Sequence, residues 1–168
     1  MKIPSMIGLL AACGFAAAFL MASTDGNPAV GTWKLDVAAS KSSTGSLPKS
    51  ATRTVEAQGN GVTISYEFVE SDGSIDKYSY ATNFDDQDVP ISGTGTSRWR
   101  QNRLCGAESV AVRRVGSNVF AEALKKSGTI VMTTRAVVSK KGAVTTMTAS
   151  GLDANGQPTK DVLVWDKQ

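Results

Sequence analysis

Five dipeptides set the punctuation of this chain: Asn60-Gly61, Asp72-Gly73, Ser127-Gly128, Lys141-Gly142 and Asn155-Gly156. Each separates two β-rich runs, and Asn-Gly or Asp-Gly suits a two-residue hairpin because both positions tolerate positive φ. Between the turns the side chains alternate. Val62, Ile64, Tyr66 and Phe68 point one way, and Thr63, Ser65 and Glu67 the other. Tyr78, Tyr80 and Phe84 are expected on one face, opposite Lys77, Ser79 and Asn83. A period of two buries one face and wets the other, which is the habit of antiparallel sheets. Further runs follow at Val110–Val115, Val119–Lys125, Thr129–Val138, Val144–Leu152 and Lys160–Asp166. In these, Ile130 is expected to face with Met132, Val144 with Leu152, and Leu163 with Trp165. A short helix is the alternative for Ala107–Val115, but Val110, Val112 and Val115 favour a strand.

The fold class is therefore all-β, an antiparallel up-and-down meander of about 8–10 strands. Exposed edge strands invite pairing with other chains, and rolling the sheet into a barrel removes them. A two-sheet β-sandwich is the alternative.

Residues 1–24 have the layout of a secretory signal peptide, leaving 25–168 as a single β-barrel domain. Lys2 is the charged start, and Ile7 to Leu20 is almost wholly apolar or small. Polar residues resume at Ser23-Thr24-Asp25. The apolar run is short of the roughly 20 residues a spanning helix needs. The expected location is secreted or periplasmic. A competing feature is Leu10-Ala11-Ala12-Cys13, which reads like a bacterial lipobox and would make the chain a lipoprotein anchored at Cys13. The greasy stretch continues past it, where a polar tether belongs. With Cys13 removed, Cys105 is the remaining cysteine of the two, so no internal disulfide is expected.

The chain has no histidine, which excludes every His-based catalytic triad and most zinc, haem and iron–sulfur sites. No cofactor and no metal are expected. Its 18 Lys and Arg against 15 Asp and Glu leave a charge of +3, too little to mark a nucleic-acid-binding domain.

The ends of the chain carry a resemblance. Val30-Gly31-Thr32-Trp33-Lys34-Leu35 resembles the opening strand of the calycin superfamily, the lipocalins and fatty-acid-binding proteins, with the lipocalin Gly-x-Trp as Gly31-Thr32-Trp33. Val162-Leu163-Val164-Trp165-Asp166-Lys167 is similar to the last strand of the fatty-acid-binding branch. The opening GTWKLD, with Ser40-Lys41 after it, also resembles a group of small exported bacterial proteins. The resemblance implies a lipocalin-like barrel in which first and last strands meet and Trp33 plugs one end. Two departures limit what it implies about ligands. The branch places a helix pair after the first strand, whereas Asp36–Ala51 is a Ser-rich linker with Gly45 and Pro48. The branch also holds a carboxylate with Arg-x-Tyr in the last strand, where this chain has Leu163 and Trp165. Arg135 could supply a substitute cation; an outward-facing Arg135 is the alternative.

The candidate cavity or core residues are Trp33, Tyr66, Phe68, Tyr78, Tyr80, Phe120 and Trp165. Arg98-Trp99-Arg100-Gln101-Asn102-Arg103 interleaves cations with an aromatic, so Arg98, Trp99, Arg100 and Arg103 are candidates for contact with an anionic envelope component. Asp85-Asp86-Gln87-Asp88 reads as a solvated hairpin turn, without the spacing of a calcium loop. Glu56, Glu67, Glu70, Glu108 and Glu122 mostly fall at water-facing alternation positions, and no acid–base pair stands out. The expected function is non-enzymatic: an exported lipocalin-like protein binding an apolar or amphipathic small molecule. One alternative is a filled barrel acting as an envelope interaction module through a basic face. Another is an enzyme with an unmarked carboxylate pair.

Overall fold

Ser127-Gly128 forms the expected two-residue turn with both residues at positive φ, but Asn60-Gly61 does not: Gly61 is already in a strand, the turn is Gly59-Asn60, and Gly59 takes the positive φ. The other three dipeptides lie in longer connections in which only the glycine has positive φ, and eleven strand segments follow one another along the chain. The computed structural model describes residues 26–94, 104, 106–153 and 155–168. The strands are β1 (Gly31–Ser42), β2 (Ser50–Gln58), β3 (Gly61–Val69), β4 (Ile75–Thr82), β5 (Asp85–Pro90), β6 (Ser92–Thr94), β7 (Ser109–Gly116), β8 (Val119–Lys126), β9 (Thr129–Val138), β10 (Val144–Leu152) and β11 (Pro158–Lys167). Ala107–Val115 thus resolves in favour of strand rather than helix.

All eleven belong to one antiparallel sheet, in the order β5-β7-β8-β9-β10-β11-β1-β2-β3-β4-β6. Leu35 lies opposite Trp165 and Trp33 opposite Lys167, so the first and last strands share a ladder. This continuity excludes two separate sheets and makes a nearly closed barrel. The nominal edges, β5 and β6, are consecutive in the chain with only Ile91 between them. Residues 85–90 pair with β7, and then Thr94, Gly93 and Ser92 pair with Lys77, Tyr78 and Ser79 of β4. One stretch of chain therefore hands the sheet across from β7 to β4. Gly93 is required there: a Cβ would lie 2.3 Å from the Lys77 carbonyl oxygen and 2.8 Å from Tyr78 Cα.

The expected linker after the first strand is mostly strand. β1 runs on to Ser42 after a bulge between Asp36 and Lys41 in its ladder with β11. Ser40 fills that gap, donating its hydroxyl to the Asp36 carbonyl at 2.6 Å and accepting the Val164 N–H at 3.0 Å. No helix pair forms, because the Ser-rich stretch closes its backbone groups locally and lacks an apolar stripe.

Two alternation expectations need correction. Asp85-Asp86-Gln87-Asp88 is not a hairpin turn but most of β5, an edge segment whose outward carboxylates suit exposed positions. The bend comes earlier, where Phe84 adopts φ 61° and its ring leaves the strand to pack 5.3 Å from that of Phe120. Ile130 does not share the buried environment of Met132: it is 55% exposed, beyond a register irregularity at Leu124/Lys125. Arg135 faces outward and is exposed. Among the described residues, no helix is long and apolar enough to cross a membrane. The signal-peptide and lipobox expectations, with Cys13 and Cys105, lie outside the described residues.

Candidate functional site

The inward residues of the strands meet in one cluster. Trp33, Tyr66, Phe68, Tyr78, Tyr80, Phe120 and Trp165 are all buried. Trp33 donates its indole N–H to the Ala29 carbonyl at 2.9 Å, and the Lys167 ammonium lies 5.3 Å from its ring centroid. Tyr66, Phe68 and Tyr78 stack, with centroids 4.7–6.0 Å apart. Trp165 approaches Tyr66 and Phe68 edge-on at 6.0 and 6.3 Å. Such offset and edge-to-face geometries are the favoured aromatic arrangements.

Within this apolar interior sits a polar group of residues that the sequence reading did not assemble. Arg53, on β2 between the inward Ala51 and Val55, is 3% exposed. Its Nε donates to the Tyr66 hydroxyl at 3.0 Å, and the guanidinium carbon is 5.7 Å from the Tyr66 ring centroid. The Tyr66 hydroxyl also points to Met147 Sδ, 4.0 Å away on β10. Tyr80 donates its hydroxyl to Glu122 Oε1 at 3.0 Å, linking β4 to β8 across the interior. Glu122 is buried, not water-facing: it follows the inward parity of Phe120 and Leu124. Of the other glutamates considered, Glu56 and Glu108 are exposed, and Glu67 forms an ion pair with Lys77 on the outer wall.

Burial sets the electrostatics. It pushes the Glu122 carboxyl above the usual carboxylate range, against the opposing pull of Arg53 and the Tyr80 hydrogen bond. Burial likewise pushes Tyr66 up to about 12, with Arg53 pulling the other way. Tyr80 rises well above its ordinary value through burial and then through the neighbouring Glu122. For Arg53, burial opposes the charge, but Tyr66, Tyr80 and Glu122 together outweigh it and raise its pKa.

The three tyrosines of the chain are Tyr66, Tyr78 and Tyr80, so tyrosinate absorbance reads this interior directly. At pH 10.5 the folded protein is expected to show Tyr66 and Tyr80 un-ionised, with their signal appearing on denaturation. A folded pKa raised above the unfolded one gives stability that is complete below about pH 10 and lost as pH rises through about 12. For Tyr66 that is about 3 kcal/mol. Tyrosinate absorbance from both residues at pH 10.5 in folded protein would contradict this arrangement.

Among the described residues, Arg53 Nη1, Thr145 Oγ1 and Trp165 Nε1 are buried polar atoms without a hydrogen-bond partner. Thr145 and Trp165 are paired across β10 and β11, and Tyr66 touches both Arg53 and Trp165. Two of the three residues thus meet Tyr66, and the third is the strand partner of one of them. Two of them can only donate, so what completes them is a hydrogen-bond acceptor.

Two clefts flank the weakly joined side of the barrel. One, of about 530 Å³, lies where β4 and β5 part, and includes Asn60, Val62, Thr82, Asn83 and Val89 in its lining. The other, of about 500 Å³, is an outer trough along β2, β3, β4 and β6, lined by hydroxyls such as Thr54, Ser65, Ser79 and Ser92. Among the described residues, no group of three or more metal-ligating side chains comes together. Arg98, Trp99, Arg100 and Arg103 lie outside the described residues.

Chemically, the interior presents unpaired donors beside aromatic rings packed on one another. No family model matches the sequence, and no curated protein matches it. Among solved structures the chain is similar to zebrafish ileal bile acid-binding protein, crystallised in complex with cholic acid. The TM-score is 0.47 and the identity 8%, over 84% of this chain and 100% of that one.

Proposed function

We propose that this chain is an exported, non-enzymatic binding protein whose barrel receives one apolar or amphipathic small molecule, its oxygen turned towards Arg53. One observation carries the reading: Arg53 Nη1, Thr145 Oγ1 and Trp165 Nε1 are each buried without a hydrogen-bond partner. Leaving a buried donor or acceptor unsatisfied costs about 1–3 kcal/mol each, and an oxygen-bearing ligand relieves that cost. Neither cleft is lined by Arg53, Thr145 or Trp165, so a ligand that reaches these atoms displaces side chains as it enters.

Native mass spectrometry of protein purified from its natural host is the test, with Nile red titration of the emptied protein beside it. The expected results are a small-molecule adduct and one-to-one dye binding that quenches tryptophan emission. A bare mass together with no dye response would sink the reading. That outcome leaves the filled barrel acting as an interaction module, which the Tyr66–Trp165 and Tyr80–Glu122 contacts across the interior favour.

A further inference from the structure

The buried charges inside the barrel leave no surplus of positive charge. Arg53 is the one buried cation among the described residues, and Glu122 and Asp76 are the two buried carboxylates. Arg53 is bonded to the Tyr66 hydroxyl and Glu122 to that of Tyr80, and the two charges attract one another across the interior. The guanidinium therefore offers a free N–H without a free positive charge. An incoming carboxylate would add a negative charge to a dry interior whose positive charge is spent, which is costly in a low dielectric. An incoming ammonium would meet donors at Arg53 Nη1 and Trp165 Nε1 and the Arg53 charge, with only the Thr145 hydroxyl able to accept from it. A hydroxyl, ketone or ester oxygen accepts from Arg53 Nη1 or Trp165 Nε1 and brings no charge.

Building on the binding reading above, we infer that the barrel selects an uncharged, oxygen-bearing amphiphile over a fatty anion, and that Glu122 enforces the choice by neutralising Arg53. Removing that negative charge turns the same site into one for anions. Protonation does the same as removal. The groups facing Glu122 are Tyr80 from β4, Arg53 from β2 and Tyr66 from β3. Its pairing neighbours, Val112 on β7 and Thr134 on β9, carry no charge.

The test compares 1-decanol with decanoate, matched in chain length, by tryptophan fluorescence on the full chain at pH 8. Wild type is expected to bind decanol at least about tenfold more tightly, and Glu122→Gln to gain about tenfold or more for decanoate with little change for decanol. If Glu122→Gln does not fold, wild type titrated with decyl sulfate, charged at every pH used, gives the same information. Its affinity is expected to rise as pH falls through the titration of Glu122, while that of decanol stays level. Decanoate binding as tightly as decanol to wild type overturns the inference and leaves the binding reading standing. A decanol preference that Glu122→Gln and pH both leave unchanged overturns it too. If neither ligand binds, the binding reading falls and takes this inference with it.

Discussion

Arg53→Met is expected to cost about 3–5 kcal/mol of unfolding free energy at pH 7, read as a shift in the urea midpoint. Removing one partner from a buried set of charges leaves the other uncompensated, and that is where costs of this size arise. Here the stranded group is Glu122, whose opposing influence from Arg53 disappears. Methionine fills much of the arginine stem's volume, so packing loss is a small part of the cost. The pH dependence identifies the cause. Without Arg53 the folded-state pKa of Glu122 climbs further above its ordinary 4.5. The folded state then binds the proton more tightly than the unfolded state, so the variant is relatively most stable below about pH 4.5 and loses stability as pH rises through the folded value. The gap between wild type and variant should narrow as pH falls towards 4.5. The double variant Arg53→Met/Glu122→Gln should recover most of the loss at pH 7. A cost that is the same at pH 4.5 and pH 7 would show that Glu122 is not what Arg53 compensates.

Trp165→Ala is expected to destabilise by a further large amount, about 3–5 kcal/mol, as for other fully buried aromatics truncated to alanine. Trp165 has no exposed surface and meets both Tyr66 and Phe68 edge-on, so the hole opens where β11 faces β3. Trp165→Phe separates packing from polarity. It keeps an aromatic ring and removes an N–H that has no partner, so its cost should be about 1 kcal/mol. Trp33→Phe should cost more, because that indole N–H is bonded to the Ala29 carbonyl. Urea unfolding of the three variants measures this. A larger loss for Trp165→Phe than for Trp33→Phe would mean that an acceptor already occupies the space beside Trp165.

What the sequence made legible was the wall of the barrel. Alternation in Val62–Phe68 and the regular spacing of turn residues sufficed for an antiparallel meander, and the meeting of β1 and β11 was what the resemblance at the Trp33 and Trp165 ends implied. The contents were harder to read. Arg53 and Glu122 occupy inward parity positions in β2 and β8, and hydrophobic pattern reading assigns charged residues to water wherever it can. Counting parity from Val55 and Ala51 places Arg53 inside, and counting from Phe120 and Leu124 does the same for Glu122. The signal was present but weak, because each charge is tolerable inside only on account of a partner distant in sequence. Arg53 and Glu122 are 69 positions apart, and only the closed sheet brings them near each other. The Asp85–Asp88 error has a similar origin. Local composition suggests a turn, while the pairing of that stretch with β7 is set by a segment more than twenty residues onward.

The three-residue ladder between β4 and β6 has a mechanical consequence. A sleeve fastened by long seams all round and by one short clasp yields first at the clasp, and this one depends on the bare backbone of Gly93. Loosening there frees the amides of Lys77 and Ser79, ready to grip any strand that passes. The point at which the barrel opens most easily is thus also the point at which two copies would first stick, and a side chain placed at Gly93 would weaken the clasp that keeps them apart.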